Sequence, residues 1–98
     1  MTYIRLSVAR PRTGETAKHL EDLFRELAQL TSGEDGSLQS YLLRPHDDSG
    51  EIARIAIYSD EKAAERAASG ESVMALRSQM DLIIEPRSHQ ERAFFTID

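Results

Sequence analysis

Cysteine and tryptophan are both absent from this chain. Without cysteine there is no disulfide framework, no thiolate metal site and no thiol nucleophile. No apolar run approaches the ~20 residues needed to cross a bilayer. The first residues, MTYIRLSVARPR, hold no long apolar stretch and no small-residue cleavage site, so no secretory leader is expected. Basic residues are in deficit, 12 Lys and Arg against 17 Asp and Glu, for a formal net charge of -5. Nucleic acid asks for a basic face, and an anionic membrane surface asks for the same. Neither partner is expected, and the cytoplasm is the expected location. There is no Gly-rich phosphate loop and no Gly-x-Ser-x-Gly nucleophile elbow. Internal repeats and low-complexity segments are missing too. His19, His46 and His89 are dispersed, with no two at metal-ligand spacing. Each reads as a surface residue, although a fold can bring His46 or His89 to a pocket mouth. Asp47-Asp48 lacks the remaining ligands of a calcium loop, so no metal is expected.

What remains is a globular composition, 40% hydrophobic and 30% charged over 98 residues. That length suits one domain over residues 1–98, with a modest core that favours association. Tyr3 to Ala9 alternates as a strand, with Ile4, Leu6 and Val8 on one face and Tyr3, Arg5, Ser7 and Ala9 on the other. Arg10-Pro11-Arg12 ends it. Thr13 is placed to cap a helix in which Ala17, Leu20, Leu23, Phe24, Leu27, Leu30 and Thr31 share a face. Gly33 is placed to stop that helix in the left-handed conformation. Ser37 to Arg44 and Glu51 to Tyr58 read as two strands joined by a turn-rich link, and so pair antiparallel. The second of these is apolar on both faces, with Arg54 interrupting the face of Ile52, Ala56 and Tyr58.

Ser59 or Asp60 caps the next helix. Its stripe of Ala63, Ala64, Ala67 and Ala68 points well away from Val73, Leu76 and Met80 further on, at about 100° per residue. One straight helix cannot bury both sets, so a break is expected at Ser69-Gly70. Leu82-Ile83-Ile84 forms a short apolar run ended by Glu85-Pro86. His89 to Ile97 closes the chain as a strand centred on Ala93-Phe94-Phe95, with the two rings expected in the core, one to each face.

The order β-α-β-β-α-β predicts an α+β, ferredoxin-like fold, a four-stranded antiparallel sheet with two helices on one face. Strands with apolar side chains on both faces leave the second face uncovered. A second copy of the chain, sheet against sheet, is the economical cover, so a homodimer through the open sheet face is expected.

The stretch from Tyr58-Ser59-Asp60-Glu61-Lys62-Ala63 through Ser72-Val73-Met74-Ala75-Leu76-Arg77 resembles the antibiotic biosynthesis monooxygenase family. That family carries an aromatic residue, usually Trp, at the end of the third strand, then a Ser/Asp-Glu-Ala helix start and a second helical piece after a short break. The resemblance implies a ferredoxin-like sheet dimerised into an α+β barrel. It also implies a pocket between sheet and helices for a small aromatic or quinol-type molecule, and oxidation by dioxygen with no metal, flavin or other cofactor. An aromatic wall and a cation or hydrogen-bond donor beside a developing oxyanion serve such chemistry.

By this resemblance Tyr58 stands in the place of the family's Trp and Arg77 near a helix arginine of some members. Arg54 stands where some members have Asn, and the tyrosine of some members falls near Ala64. The haem-degrading branch uses a second-helix histidine, absent here, with Arg77 in that neighbourhood. The candidate catalytic residues are therefore Arg77 and Tyr58, and the candidate ligand contacts are Arg54, Tyr58, Arg77 and Phe24. Each has a plainer reading. Arg77 covers an apolar face with its stem, Tyr58 is a packed aromatic with a wet hydroxyl, and Arg54 bridges to a carboxylate. Phe24, with Leu27 and Met80, fills the space a ligand needs. A non-catalytic ligand-binding or structural member of the same fold is the alternative function.

Overall fold

The computed structural model describes residues 1–97. Chain order runs β1 (Tyr3–Ala9), α1 (Gly14–Ser32), β2 (Ser37–Leu43), β3 (Ile52–Tyr58), α2 (Glu61–Ala68), α3 (Glu71–Ile83) and β4 (Gln90–Phe95). The strands form one antiparallel sheet in the order β2-β3-β1-β4, the ferredoxin-like arrangement. Among the described residues there are three helices rather than two, because the chain breaks at Ser69-Gly70 as the diverging apolar stripes require. The last strand is shorter than the span His89 to Ile97, and α3 takes Leu82 and Ile83 into its final turn.

Local chemistry sets the helix ends. Thr13 Oγ1 accepts from the Thr16 amide while Thr16 Oγ1 accepts from the Thr13 amide, a reciprocal box that satisfies two orphan donors. Asp60, not Ser59, caps α2, its Oδ1 accepting from the Ala63 amide at 2.8 Å. Gly33 does not adopt the left-handed conformation; its φ is -81°. The left-handed residue of this turn is Gly36, at φ 89°. Its carbonyl accepts from the Ser59 amide at 2.8 Å, which ties the start of β2 to the end of β3.

The helices cover the face of β1 that carries Tyr3, Ser7 and Ala9, and the face of β3 that carries Arg54, Ala56 and Tyr58. The more aliphatic face, with Ile4, Leu6, Val8, Ile55 and Ile57, points the other way. Under the helices lie two separate apolar clusters. Ala9, Leu20, Leu23, Phe24, Leu27, Val73, Leu76, Met80 and Ile84 join α1 to α3. Tyr3, Ala56 and Tyr58 meet Ala63, Ala64 and Ala67 of α2, where small side chains let the helix approach the sheet closely. Phe94 and Phe95 do face opposite sides, but neither is core: they are 42% and 53% exposed on an edge strand. Phe95 only meets Tyr3 edge to face, with ring centroids 5.3 Å apart.

Gly36 is the tightest point of this arrangement. A Cβ there would lie 2.6 Å from Ala63 Cβ and 2.8 Å from Ser59 Oγ. The substitution Gly36→Ala combines that clash with a disfavoured φ. It is expected to lower unfolding free energy by about 1–3 kcal/mol, read from the midpoint of a urea melt.

Candidate functional site

Among the described residues the buried polar ones are Ser7, Thr31 and Arg54, and all three line the same cavity. It lies where the two apolar clusters fail to meet. The floor is a straight cross-strand row, Arg54 on β3, Ser7 on β1 and Glu91 on β4. Phe24, Leu27 and Thr31 of α1 form one wall, and Val73, Arg77 and Met80 of α3 another. Tyr58 and Ala68 close the end toward the alanine cluster, and Asp81, Ile84 and His89 stand at the opposite end. The cavity holds about 120 Å³, many times the roughly 10–15 Å³ that admits one water.

Arg54 dominates its electrostatics. The residue is 6% exposed. Its Nη2 donates to Thr31 Oγ1 at 2.7 Å, and Thr31 in turn donates to the Leu27 carbonyl at 2.9 Å. Nε finds no acceptor, and among the described residues no carboxylate pairs with this guanidinium. The expected bridge from Arg54 to an acid is therefore not there. The local reason is position: β3 presents Arg54 beneath α1, whose inward face at that level offers a hydroxyl and apolar side chains.

Arg77 has the acid instead. Its Nη2 donates to both oxygens of Glu91 at 3.2 Å, and Ser7 Oγ donates to Glu91 Oε1 at 3.2 Å. Both side chains of the pair are about a third exposed, at the rim of the cavity. At that exposure the pair adds little stability, on the order of 0–1 kcal/mol. What it does is fix a carboxylate at the end of the row opposite Arg54.

Tyr58 is 3% exposed and Phe24 is fully buried, and each lines the cavity. Phe24, Leu27 and Met80 line the space without filling it. The residues singled out from the sequence, Arg54, Tyr58, Arg77 and Phe24, are thus brought together around one cavity. His89 reaches it as well, while His19 and His46 do not. Just outside the lining, Arg5 donates to the Tyr3 hydroxyl at 3.4 Å. Partial burial works against the charge on Arg5, but the Tyr3 hydrogen bond and the field of Tyr3, Glu91 and Tyr58 outweigh it and raise its pKa.

Ser7, Thr31 and Glu91 are the site residues that sequence reasoning missed. One signal was available for all of them. Each is a polar side chain at an inward position of its element: Ser7 in phase with Tyr3 and Ala9, Thr31 on the leucine face of α1, Glu91 in phase with Ala93 and Phe95.

The family model for antibiotic biosynthesis monooxygenases matches residues 4–78. Among solved structures, the N63A mutant of SnoaB, a cofactor-independent oxygenase from Streptomyces nogalater, superposes with a TM-score of 0.86. Its identity is 15%, over 99% of this chain and 94% of that one. Rv0793 from Mycobacterium tuberculosis superposes with a TM-score of 0.87 at 18% identity, over 100% of this chain and 97% of that one. The structure of a "putative antibiotic biosynthesis monooxygenase" from Deinococcus radiodurans gives 0.84 at 17% identity, over 100% of this chain and 94% of that one. At these identities the superpositions speak for the fold alone. No protein of curated function matches the sequence. The family match runs from β1 into α3 and takes in the β3, α2 and α3 stretch that frames the cavity, so the chain belongs to the antibiotic biosynthesis monooxygenase family.

Proposed function

We propose that this protein binds a small aromatic or quinol-type molecule beneath its helices and oxidises it with dioxygen, without a metal or organic cofactor. One observation carries the reading: a single cavity unites a buried cation, an aromatic wall and a carboxylate at fixed places on a rigid sheet. Family membership supports it, as does the fold shared with SnoaB, itself a cofactor-independent oxygenase.

In this reading Tyr58 and Phe24 hold the ring. Arg77 at the rim stabilises the negative oxygen that develops when the ring is deprotonated, and Arg54 holds the opposite end of the molecule. Glu91 takes the proton; Arg77 and Ser7 keep its carboxylate aimed at the floor. The resulting electron-rich carbon passes its electrons to dioxygen. For a ring CH2 the balance is CH2 plus O2 giving C=O plus H2O, one oxygen atom retained and one leaving as water. A second reading, binding without turnover, is favoured by the engagement of Arg77 with Glu91, which lowers the positive charge available at the rim.

The open sheet face bears on assembly. Ile4, Leu6, Val8, Ile55 and Ile57 lie there beside Tyr41, Leu43 and Phe94, which are 49%, 40% and 42% exposed. We infer that a second copy covers this face, giving a homodimer.

Dioxygen uptake tests the chemistry. Purified, metal-free protein with a panel of anthrones and hydroquinones is expected to consume oxygen above the spontaneous rate. Glu91→Gln is expected to lower that rate by about 100- to 10,000-fold, and Arg77→Ala by about 100- to 1,000-fold. Unchanged uptake in Arg77→Ala removes that residue from the mechanism. Binding of the ring with no uptake favours the second reading. Sedimentation velocity tests the dimer: Ile55→Lys is expected to raise its dissociation constant at least about 30-fold, the cost of losing an interface centre. A wild-type monomer at tens of micromolar would end the dimer reading.

A further inference from the structure

The cavity's cation is unbalanced, and that says something about the occupant. Arg54 is 6% exposed, makes one hydrogen bond, to a neutral hydroxyl, and leaves Nε–H without an acceptor. A guanidinium stays charged at any ordinary pH. A charge held out of water is costly unless it is paired. The other arginine of the cavity does not share this need, because Glu91 occupies it through both oxygens.

We infer that the occupant brings the missing anion: an aromatic carboxylate whose carboxylate seats on Arg54. This rests on reading the cavity as a ligand site, and it names the class of molecule that site takes. Three features point to this class. The walls beside Arg54 are Phe24, Leu27 and Met80, which favour an apolar body over a small hydrated ion. A carboxylate presents two coplanar oxygens to the guanidinium fork. It is also ionised at neutral pH, whereas a phenol, with an ordinary pKa of about 10, is not.

The row across the floor then orients the ligand. Glu91 lies two strands from Arg54, a backbone separation of about 10 Å at ordinary strand spacing. Its negative charge repels the carboxylate and leaves it one seat. The far side of the ring, with any hydroxyl it carries, faces Glu91.

A matched pair of probes tests this: 2,5-dihydroxybenzoate and its neutral amide, 2,5-dihydroxybenzamide, titrated calorimetrically without oxygen. The wild type is expected to favour the carboxylate about 10- to 100-fold, the range of a charge-assisted hydrogen bond gained. Arg54→Gln is expected to lose the preference, whatever affinity it keeps for the amide. Arg25→Gln changes net charge equally but lies outside the cavity, paired with Glu21 and Asp22, and is expected to keep the preference. Should Arg54→Gln fail to fold, the Nε–H resonance of Arg54 in the wild type gives the same answer: it shifts with the carboxylate and stays put with the amide. Equal affinity of the wild type for both probes overturns the inference while leaving the cavity a ligand site. A preference that survives Arg54→Gln, or an unmoved Nε–H resonance, places the anion elsewhere and overturns it too. Binding of neither probe overturns the inference and the ligand-site reading together.

Discussion

A guanidinium lies beneath a helix with a hydroxyl as its only partner among the described residues, and the interior is arranged around that fact. The Arg54 Nη2 bond to Thr31 Oγ1, 2.7 Å long, crosses from the sheet to α1. A charge in that place cannot be covered by aliphatic side chains without a large desolvation cost. The two apolar clusters accordingly stop on either side of it. The α1–α3 cluster ends at Leu27, Val73 and Met80, the α2 cluster at Tyr58, and the cavity is the space between. An apolar residue in place of Arg54 would let those walls close. The cavity and the buried charge are therefore one feature.

The break at Ser69-Gly70 serves the same geometry. Ala63, Ala64 and Ala67 require α2 to lie close on Tyr3, Ala56 and Tyr58. Val73, Leu76 and Met80 require α3 to lie against α1. A continuous helix meets one demand only. Breaking the chain meets both, and it sets Arg77, one turn on from Val73, directly over Glu91. The close seat of α2 in turn depends on Gly36, because the Ala63 and Ser59 side chains occupy the place of a Cβ there.

Much of this was readable in the sequence, and the limits have physical causes. Strand alternation marked Arg54 as a charge on an otherwise apolar face, and helical periodicity demanded the break, because both are local properties of period 2 and period 3.6. The β-α-β-β-α-β order carried the topology. What periodicity cannot supply is the partner across strands. Ser7 and Glu91 are 84 residues apart, and nothing local to β4 says that its inward carboxylate meets an arginine of α3. Nor does alternation say which face the helices choose. Choosing Gly33 over Gly36 as the left-handed residue failed for a similar reason: both lie in one short turn, and contacts with Ser59 and Ala63 decide between them. Phe94 and Phe95 looked like core because they are large, yet β4 is an edge strand on which Phe94 points to the open face and Phe95 meets the ring of Tyr3 while staying half exposed.

The helices cover the less aliphatic side of the sheet, with its serine, arginine and tyrosines, and leave the isoleucine side open. For a lone chain this ordering is uneconomical, since burial of Ile4, Leu6, Val8, Ile55 and Ile57 contributes more per residue than burial of alanine or serine. In the proposed dimer it becomes sensible. Two aliphatic sheet faces meet each other and supply the bulk of the apolar burial. The helix face is then released from the duty of being a tight apolar core. It can keep a cavity, an unpaired cation and a rim carboxylate, each of which would be a serious fault in the sole core of a small domain. On this account the sheet divides its labour: one face holds the protein together and the other is left free for chemistry.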